Sequence, residues 1–341
     1  RIYVQFVDNC NENGPFDPLV APIRQSNLCL EIALPTSPLS DKNKDEGEIA
    51  LCTLAAFNLG SIELDDLPAL ADILVRALDA LLDYQDYPVQ AALKAKNRRA
   101  LGIGVINYAY FLAKNGVKYS DGSANDLTHE MFEHIQFNLL SASNKLAEER
   151  GACGLFNETK YSQGMLPTDW YNKRVDKLHN SELTCDWEGL RKSIEAHGLR
   201  NSTLTAIMPA ETSAQISNST NGIEPATALT TVKGSKDSRA KQVVPEVQKL
   251  YADYETSWEM KGNKGYLELC AIMQKFVDQS ISANTRYDPA SYEGGLIPYN
   301  VLVGDILLAW KMGVKTLYYH LTKDGSGEDA DDDCGSGACK I

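Results

Sequence analysis

The chain has 341 residues, 43% hydrophobic and 23% charged, a globular composition with length for a large core or about two domains. Its net charge of −13 argues against a nucleic-acid partner, which needs a basic footprint to neutralise phosphates; any anionic ligand must be held by local groups. No apolar run reaches the roughly 18 residues of a membrane span, and the start does not read as a signal peptide, so the expectation is a cytoplasmic chain without a membrane partner. Eight dispersed cysteines argue against a disulfide scaffold and leave catalysis, redox exchange or simple burial.

Residues 1–7 (RIYVQFV) read as a strand with no initiator Met, as though the chain began inside a domain. In residues 26–35 (SNLCLEIALP), extended alternation puts Asn27, Cys29 and Glu31 on one face and Leu28, Leu30 and Ile32 on the other. Taken alone, that pattern fits a half-buried edge strand. A second strand is expected over 48–54 (EIALCTL), where Cys52 reads as a small core residue. Leu70, Ile73, Leu74, Ala77, Leu78, Leu81 and Leu82 recur at helical spacing, as do Met131, Ile135, Leu139, Ala142 and Leu146. Gly102-Ile103-Gly104 lacks the remainder of a dinucleotide fingerprint. His129 and His134 have the wrong spacing to share a helix face, so neither is taken as a metal ligand.

Further along, a strand over 202–208 leads into a helix starting within 209–212. There Glu211, Thr212 and Ser213 sit where unpaired N–H groups favour an anion about as readily as the hydroxyls serve a plain cap. Residues 226–241 read as a polar surface loop. Helices are expected over 269–277 and 301–312, the second stopped by Gly313. The strand over 314–319 ends in Tyr318-Tyr319, which alone reads as one buried and one exposed ring. Strands alternating with helices point to an α/β fold with some parallel pairing. After Lys323 the acidic, Gly/Ser-rich DGSGEDADDDCGSGACKI cannot bury enough surface to order itself and reads as a flexible tail. Its Cys334 and Cys339, joined by a small linker, can close a disulfide and exchange it with another thiol pair.

Together these stretches resemble the C-terminal part of the large, catalytic subunit of class Ia ribonucleotide reductase. The resemblance runs collinearly through NLCLEIALPT (27–36), GEIALCTLAAFNLG (47–60), DYQDYP (83–88), LGIGVINYAY (101–110), SDGSAN (120–125), GLRNSTLTAIMPAETSAQISNSTNGIEP (198–225), DQSISANT (278–285), GVKTLYY (313–319) and the terminal CGSGACKI. It implies a ten-stranded α/β barrel of two five-stranded halves, of which this chain carries a central finger loop at about 24–35 and the second half-barrel, with the partial barrel in 1–320 and the redox tail in 321–341.

The resemblance also implies roles. Cys29 would form the thiyl radical that takes the ribose 3′-hydrogen, Glu31 the base for the 3′-hydroxyl, and Asn27 a hydrogen-bonding partner of substrate, with Leu28, Leu30 and Ile32 anchoring the loop from behind. Cys52 would be one member of the oxidised thiol pair, its mate lying in the missing half. Tyr318 and Tyr319 would relay a radical from the diiron-tyrosyl site of a small subunit, no cofactor binding this chain directly. Ala210, Glu211, Thr212 and Ser213 would hold the diphosphate of a nucleoside diphosphate, although Ala210 stands where many relatives have Ser. The pattern also breaks after Pro225, at residues 226–229. Cys334 and Cys339 would reduce the active-site disulfide and be reduced by thioredoxin or glutaredoxin. A separate N-terminal chain would complete the barrel and carry the allosteric sites. Competing expectations are a catalytically inactive remnant with a regulatory role, a glycyl-radical enzyme, whose C-terminal glycine motif is not present, and a generic thiol oxidoreductase, which leaves the tyrosine pair unexplained.

Overall fold

A computed structural model describes residues 2–39, 47–234 and 239–323. Its strands are β1 (Val4–Gln5), β2 (Thr53–Asn58), β3 (Leu101–Ile106), β4 (Thr230–Gly234), β5 (Arg239–Val243), β6 (Thr285–Tyr287), β7 (Thr316–Leu317) and β8 (His320–Thr322). β2 and β3 pair in parallel, Thr53 opposite Leu101 and Asn58 opposite Ile106. Every residue of β3 is buried, as a continuous apolar run predicts for a parallel strand covered on both faces.

Backbone hydrogen bonds extend this pair strand by strand. Leu101 and Ile103 donate to Thr203 and Leu204, and Ile207 donates to Ser280 while Ser282 donates to Ile207. Tyr318 then donates to Ala283 and Thr285 to Tyr319, in line with the parallel β6–β8 pair. Extended segments around residues 53–58, 101–106, 203–207, 279–283 and 316–320 therefore lie side by side in chain order. β1 pairs antiparallel with β7. Among the described residues these segments do not close on themselves; the layering is mixed α/β, with no closed barrel, and the count of ten strands that the resemblance implies for the whole is not confirmed.

Helices fill the connections. Leu67–Tyr84 packs on Asn125–Arg150, that helix on Lys264–Gln274, and that in turn on Tyr299–Lys311, repeating the order of the strands they join. Met131, Ile135, Leu139, Ala142 and Leu146 are all buried, as their spacing requires. In Leu67–Tyr84 the buried stripe is instead Leu67, Ala71, Val75, Leu78 and Leu82, with Ile73 and Leu81 exposed. The run of leucines covers more of the helix than its neighbours do. Gly313, at φ +86°, ends Tyr299–Lys311 in a backbone conformation that favours glycine.

Several local expectations give way. Residues 1–7 form only a two-residue strand before the helix Val7–Glu12 begins. The strand placed at 48–54 lies at Thr53–Asn58, leaving Cys52 just ahead of its start. Residues 226–241 are not simply a loop, because β4 and β5 pair there as an antiparallel hairpin, whose run of polar side chains hides the alternation of a strand. The strand expected over 314–319 shortens to β7, and a separate strand, β8, follows after Tyr318-Tyr319 and pairs with β6 through Thr322.

Gly102-Ile103-Gly104 is explained by packing rather than by a phosphate. A Cβ on Gly104 would lie 2.6 Å from the Ala206 carbonyl oxygen, and one on Gly102 would lie 2.9 Å from Cys52 Sγ and 3.1 Å from Ala206 Cβ. Because the obstruction at residue 104 is backbone, Gly104→Ala is expected to destabilise the chain by about 1–3 kcal/mol, read as a lower urea midpoint at unchanged slope.

Candidate active site

The stretch 26–35 is a tight turn rather than a strand. Leu30 N–H donates to the Asn27 carbonyl at 3.2 Å, Asn27 Oδ1 accepts from Ile32 N–H at 3.2 Å, and Ser26 Oγ donates to the Ile32 carbonyl at 2.6 Å. Side chains of Ser and Asn that bond back to nearby backbone make such turns, and here they overrule the alternation. Leu30 closes the turn at φ +63°, at a cost of roughly 1–2 kcal/mol for an L-residue. Its buried side chain packs against Tyr318 and Tyr319, whereas Leu28 stands 55% exposed.

Three further bonds fix the turn to the strands. Ser280 N–H donates to the Glu31 carbonyl at 3.0 Å, Thr316 Oγ1 donates to the Leu30 carbonyl at 3.1 Å, and Ala33 N–H donates to Gln279 Oε1 at 3.1 Å. The loop is thereby held over the segments that begin at residues 279 and 316.

Two groups of side chains result. In the first, Cys29 lies partly buried beside Leu30 and within hydrogen-bonding contact of Tyr318. Tyr318 and Tyr319 are both buried, correcting the expectation of one exposed ring, with ring centres 4.0 Å apart and their hydroxyls 3.2 Å apart. Burial, then the Tyr319 hydroxyl and the Cys29 thiol, push the Tyr318 phenol far above its ordinary range, so it stays protonated in the resting chain. Tyr3 adds a third ring, centred 4.9 Å from that of Tyr318 and 5.5 Å from that of Tyr319.

The second group lines a cavity of about 700 Å³ and includes Asn27, Glu31, Leu34, Cys52 and Leu54. Asn27 Nδ2 donates to Glu31 Oε1 at 2.8 Å, while Glu31 Oε2 is buried with no hydrogen-bond partner in the structure. Burial raises the Glu31 carboxyl above its ordinary value, with backbone and Asn27 donors pulling the other way. Burial likewise pushes the Cys52 thiol up to about 12; the Gln279 N–H opposes this and the Glu31 charge adds to it. A neutral thiol, a carboxyl whose protonated form burial favours and an amide donor can together transfer hydrogen atoms and protons to and from one bound hydroxylic substrate.

The anticipated phosphate loop stands apart from both groups. Ala210 N–H donates to Asn221 Oδ1 at 2.7 Å and Asn221 Nδ2 to Glu211 Oε1 at 2.8 Å, ahead of the short helix Glu211–Ile216. Glu211 lines a separate pocket of about 100 Å³ with Asn221, Glu224 and Arg286, while Thr212 and Ser213 are exposed and Ala210 is buried against Ile106 and Ala214. Cys334 and Cys339 lie outside the described residues. His129 is buried against His179 at 3.9 Å between ring centres, with Lys275 Nζ 3.1 Å from its Nε2. Among the described residues no three His, Cys, Asp or Glu side chains gather as a metal site would need. Nor is any described helix long and apolar enough to cross a membrane.

Compared with known proteins, residues 1–320 match the ribonucleotide reductase barrel domain. The chain belongs to that family. It is 63% identical over 346 aligned residues to the ribonucleoside-diphosphate reductase subunit alpha of Haemophilus influenzae, and 62% over 352 to ribonucleoside-diphosphate reductase 1 subunit alpha of Escherichia coli. It is 50% identical over 353 to the subunit alpha of Enterobacteria phage T4. Each match takes in the whole chain and 46% of the relative, so the chain spans about half the length of the curated relatives it matches.

In this ribonucleotide reductase barrel chain, two side chains at the site escaped sequence reasoning. Tyr3 sits in a segment that reads only as strand, and its contact with Tyr318 depends on the antiparallel β1–β7 pairing, which no local signal announces. Gln279 lies in an ordinary polar run, DQSIS, with no chemistry of its own.

The Glu31 carboxyl supplies a test. Because its folded pKa is raised, the group costs nothing extra where both states are protonated, and the penalty grows as pH rises from its ordinary 4.5 through the folded value. Glu31→Gln keeps an acceptor for Asn27 without the charge. It is expected to melt higher than the parent chain at pH 8, with the gap closing toward pH 4; equal melting temperatures across that range would show that the buried charge carries no penalty.

Proposed function

We propose that this chain is the catalytic portion of a ribonucleoside-diphosphate reductase large subunit, reducing ribonucleoside diphosphates to deoxyribonucleoside diphosphates by thiyl-radical chemistry. The observation that carries the proposal is the division of the 26–35 turn: Cys29 meets the closely packed Tyr318–Tyr319 pair on one side, while Asn27 and Glu31 line a cavity with Cys52 on the other. Membership of the ribonucleotide reductase barrel family supports it.

In this mechanism a radical reaches Cys29 through Tyr319 and Tyr318, and originates in the diiron-tyrosyl chemistry of a small-subunit partner. Short phenol-to-phenol and phenol-to-thiol contacts divide one long oxidation into brief hops, each moving an electron and a proton together. The Cys29 thiyl takes the 3′-hydrogen of the ribose, and Glu31 accepts the 3′-hydroxyl proton, for which its unpartnered Oε2 is suited. Asn27 holds Glu31 and the substrate hydroxyl in line. The 2′-hydroxyl then leaves as water while Cys52 and a second thiol, outside these 341 residues, give up two electrons and two protons and join as a disulfide. A hydrogen returned from Cys29 to C3′ regenerates the radical.

Glu211, Thr212, Ser213 and the backbone at Ala210 would bind the diphosphate once the remaining part of the enzyme closes over this face. Cys334 and Cys339 would reopen the disulfide and be reduced by thioredoxin or glutaredoxin. Sequence equivalent to the other half of the long relatives, in the same polypeptide or a separate one, completes the site.

The test is CDP reduction with small subunit, reductant, allosteric effector and that complementing sequence. Cys29→Ser is expected to abolish product, and paired Ser substitutions at Cys334 and Cys339 to allow a single round in pre-reduced enzyme but not multiple rounds with thioredoxin. No reduction by the verified complete assembly would instead favour a catalytically inactive remnant, and full multiple turnover without Cys334 and Cys339 would remove the tail from the mechanism.

A further inference from the structure

The fully buried Gln279 carboxamide is shared between two elements that the proposed chemistry needs in register. Its Oε1 accepts the Ala33 N–H of the catalytic turn at 3.1 Å. Its Nε2 reaches three acceptors, Leu101 O at 3.0 Å, Thr203 Oγ1 at 3.2 Å and Cys52 Sγ at 3.2 Å. An amide has two N–H groups, so one acceptor shares, and the two oxygens alone would satisfy the donors of a purely structural glutamine. The backbone beneath is equally constrained: Gln279 N–H donates to Thr205 O at 3.0 Å, and Gln279 O accepts Lys315 Nζ at 2.7 Å and Gln274 Nε2 at 3.0 Å. The carboxamide has no freedom to turn away from the thiol.

We propose that Gln279 is the positioning residue of Cys52, an N–H donor that holds Sγ beside the catalytic turn and favours its thiolate during thiol–disulfide exchange. Neutral sulfur is a weak acceptor and thiolate a strong one, so the same contact strengthens as the proton leaves. This matters where burial and the Glu31 charge both work against ionisation. In exchange, a thiolate of the reducing dithiol bonds to the sulfur of Cys52's mate, the S–S bond breaks, and its electron pair leaves on Cys52 Sγ, where the amide already points. A better-stabilised thiolate leaves faster. The Ala33 contact makes the arrangement reciprocal, because a shift of the turn that carries Glu31 pulls on the group that holds Cys52.

The inference rests on Cys52 being a redox thiol, and the two can fail separately. Iodoacetamide labelling of Cys52 in the full chain, followed peptide by peptide across pH 7–10, tests the donor. Gln279→Met, similar in size but without the N–H, is expected to slow Cys52 labelling about fivefold at pH 9, the scale of one lost hydrogen bond. Gln279→Glu keeps an acceptor for Ala33 while placing charge beside sulfur, and is expected to slow it further. A merely structural glutamine predicts the opposite sign, since loosened packing exposes the thiol and speeds labelling. Unchanged or faster labelling in both variants overturns the inference.

Should those variants not fold, Thr203→Val offers a second reading with Gln279 intact. Removing a competing acceptor frees the N–H for Cys52 and is expected to move the pH dependence of labelling to lower pH, although loss of the Thr203 bond to the Leu101 carbonyl lowers the melting temperature; an unmoved pH dependence, or a rate raised equally at every pH as loosened packing would give, counts against the donor. Full CDP turnover by Cys52→Ser in the completed enzyme would instead remove the redox role of Cys52 and leave the labelling result standing.

Discussion

One buried ammonium organises the end of the sheet on which the candidate site is built. Lys315, wholly inaccessible, donates from Nζ to the carbonyls of Val277, Asp278 and Gln279 at 3.3, 2.6 and 2.7 Å. Three successive carbonyls can converge on one point only if the chain bends sharply as it leaves the helix Lys264–Gln274. Burial lowers the amine to about 8, with the neighbouring Cys10 and Asp278 working in the other direction. Losing such a group without its carbonyls would leave several buried acceptors unmatched, which is more costly than the net value of any one bond.

What the bend exposes on each side determines the rest. Asp278 Oδ1 accepts from the Tyr161 hydroxyl and from Gln136 Nε2, and Oδ2 from Leu204 N–H, tying the long helix and the middle segment to this corner. Burial raises the Asp278 carboxyl even so. Gln279 points the other way, to Cys52 and Ala33, and Ser280 N–H takes the Glu31 carbonyl. The helix exit, the Asp278 hub and the contacts to the 26–35 turn thus come from successive residues of one bend. Glu31 is buried with an unmatched carboxylate oxygen, and Gln274 Oε1 and Ser282 Oγ near the same bend are unmatched as well.

Local sequence carried the helices well because their evidence is local: five apolar residues on one face of Asn125–Arg150 mean the same thing wherever the helix docks. It also drew attention to Cys29, Cys52 and the tyrosine pair, through the resemblance around them, and these are the residues on which the proposed function rests. The shape of their surroundings was less legible. Alternation in SNLCLEIALP is compatible with a strand, and only the return bonds of Ser26 and Asn27, with Leu30 at positive φ, convert it into a turn. The sequences of β4 and β5, TTVKG and RAKQV, lack the apolar alternation by which a strand is recognised. Tyr319 is buried because Tyr3 and the turn lie against its cluster, contacts made across more than 280 residues of sequence. Each miss is a place where a distant partner outweighed a local preference.

The order of pairing has a consequence for how the molecule is made. Successive sheet segments and the helices between them meet in the order in which they leave the ribosome, so each finds its neighbour already present. The turn bearing Cys29 is different. Its side-chain anchors, Gln279 and Thr316, lie 246 and 286 residues downstream of Ala33 and Leu30. Closing loops of that length is slow relative to local contacts. The turn waits for anchors that follow it by most of the length of these 341 residues, and the Cys29 thiol meets Tyr318 and Tyr319 only once that intervening stretch has been made.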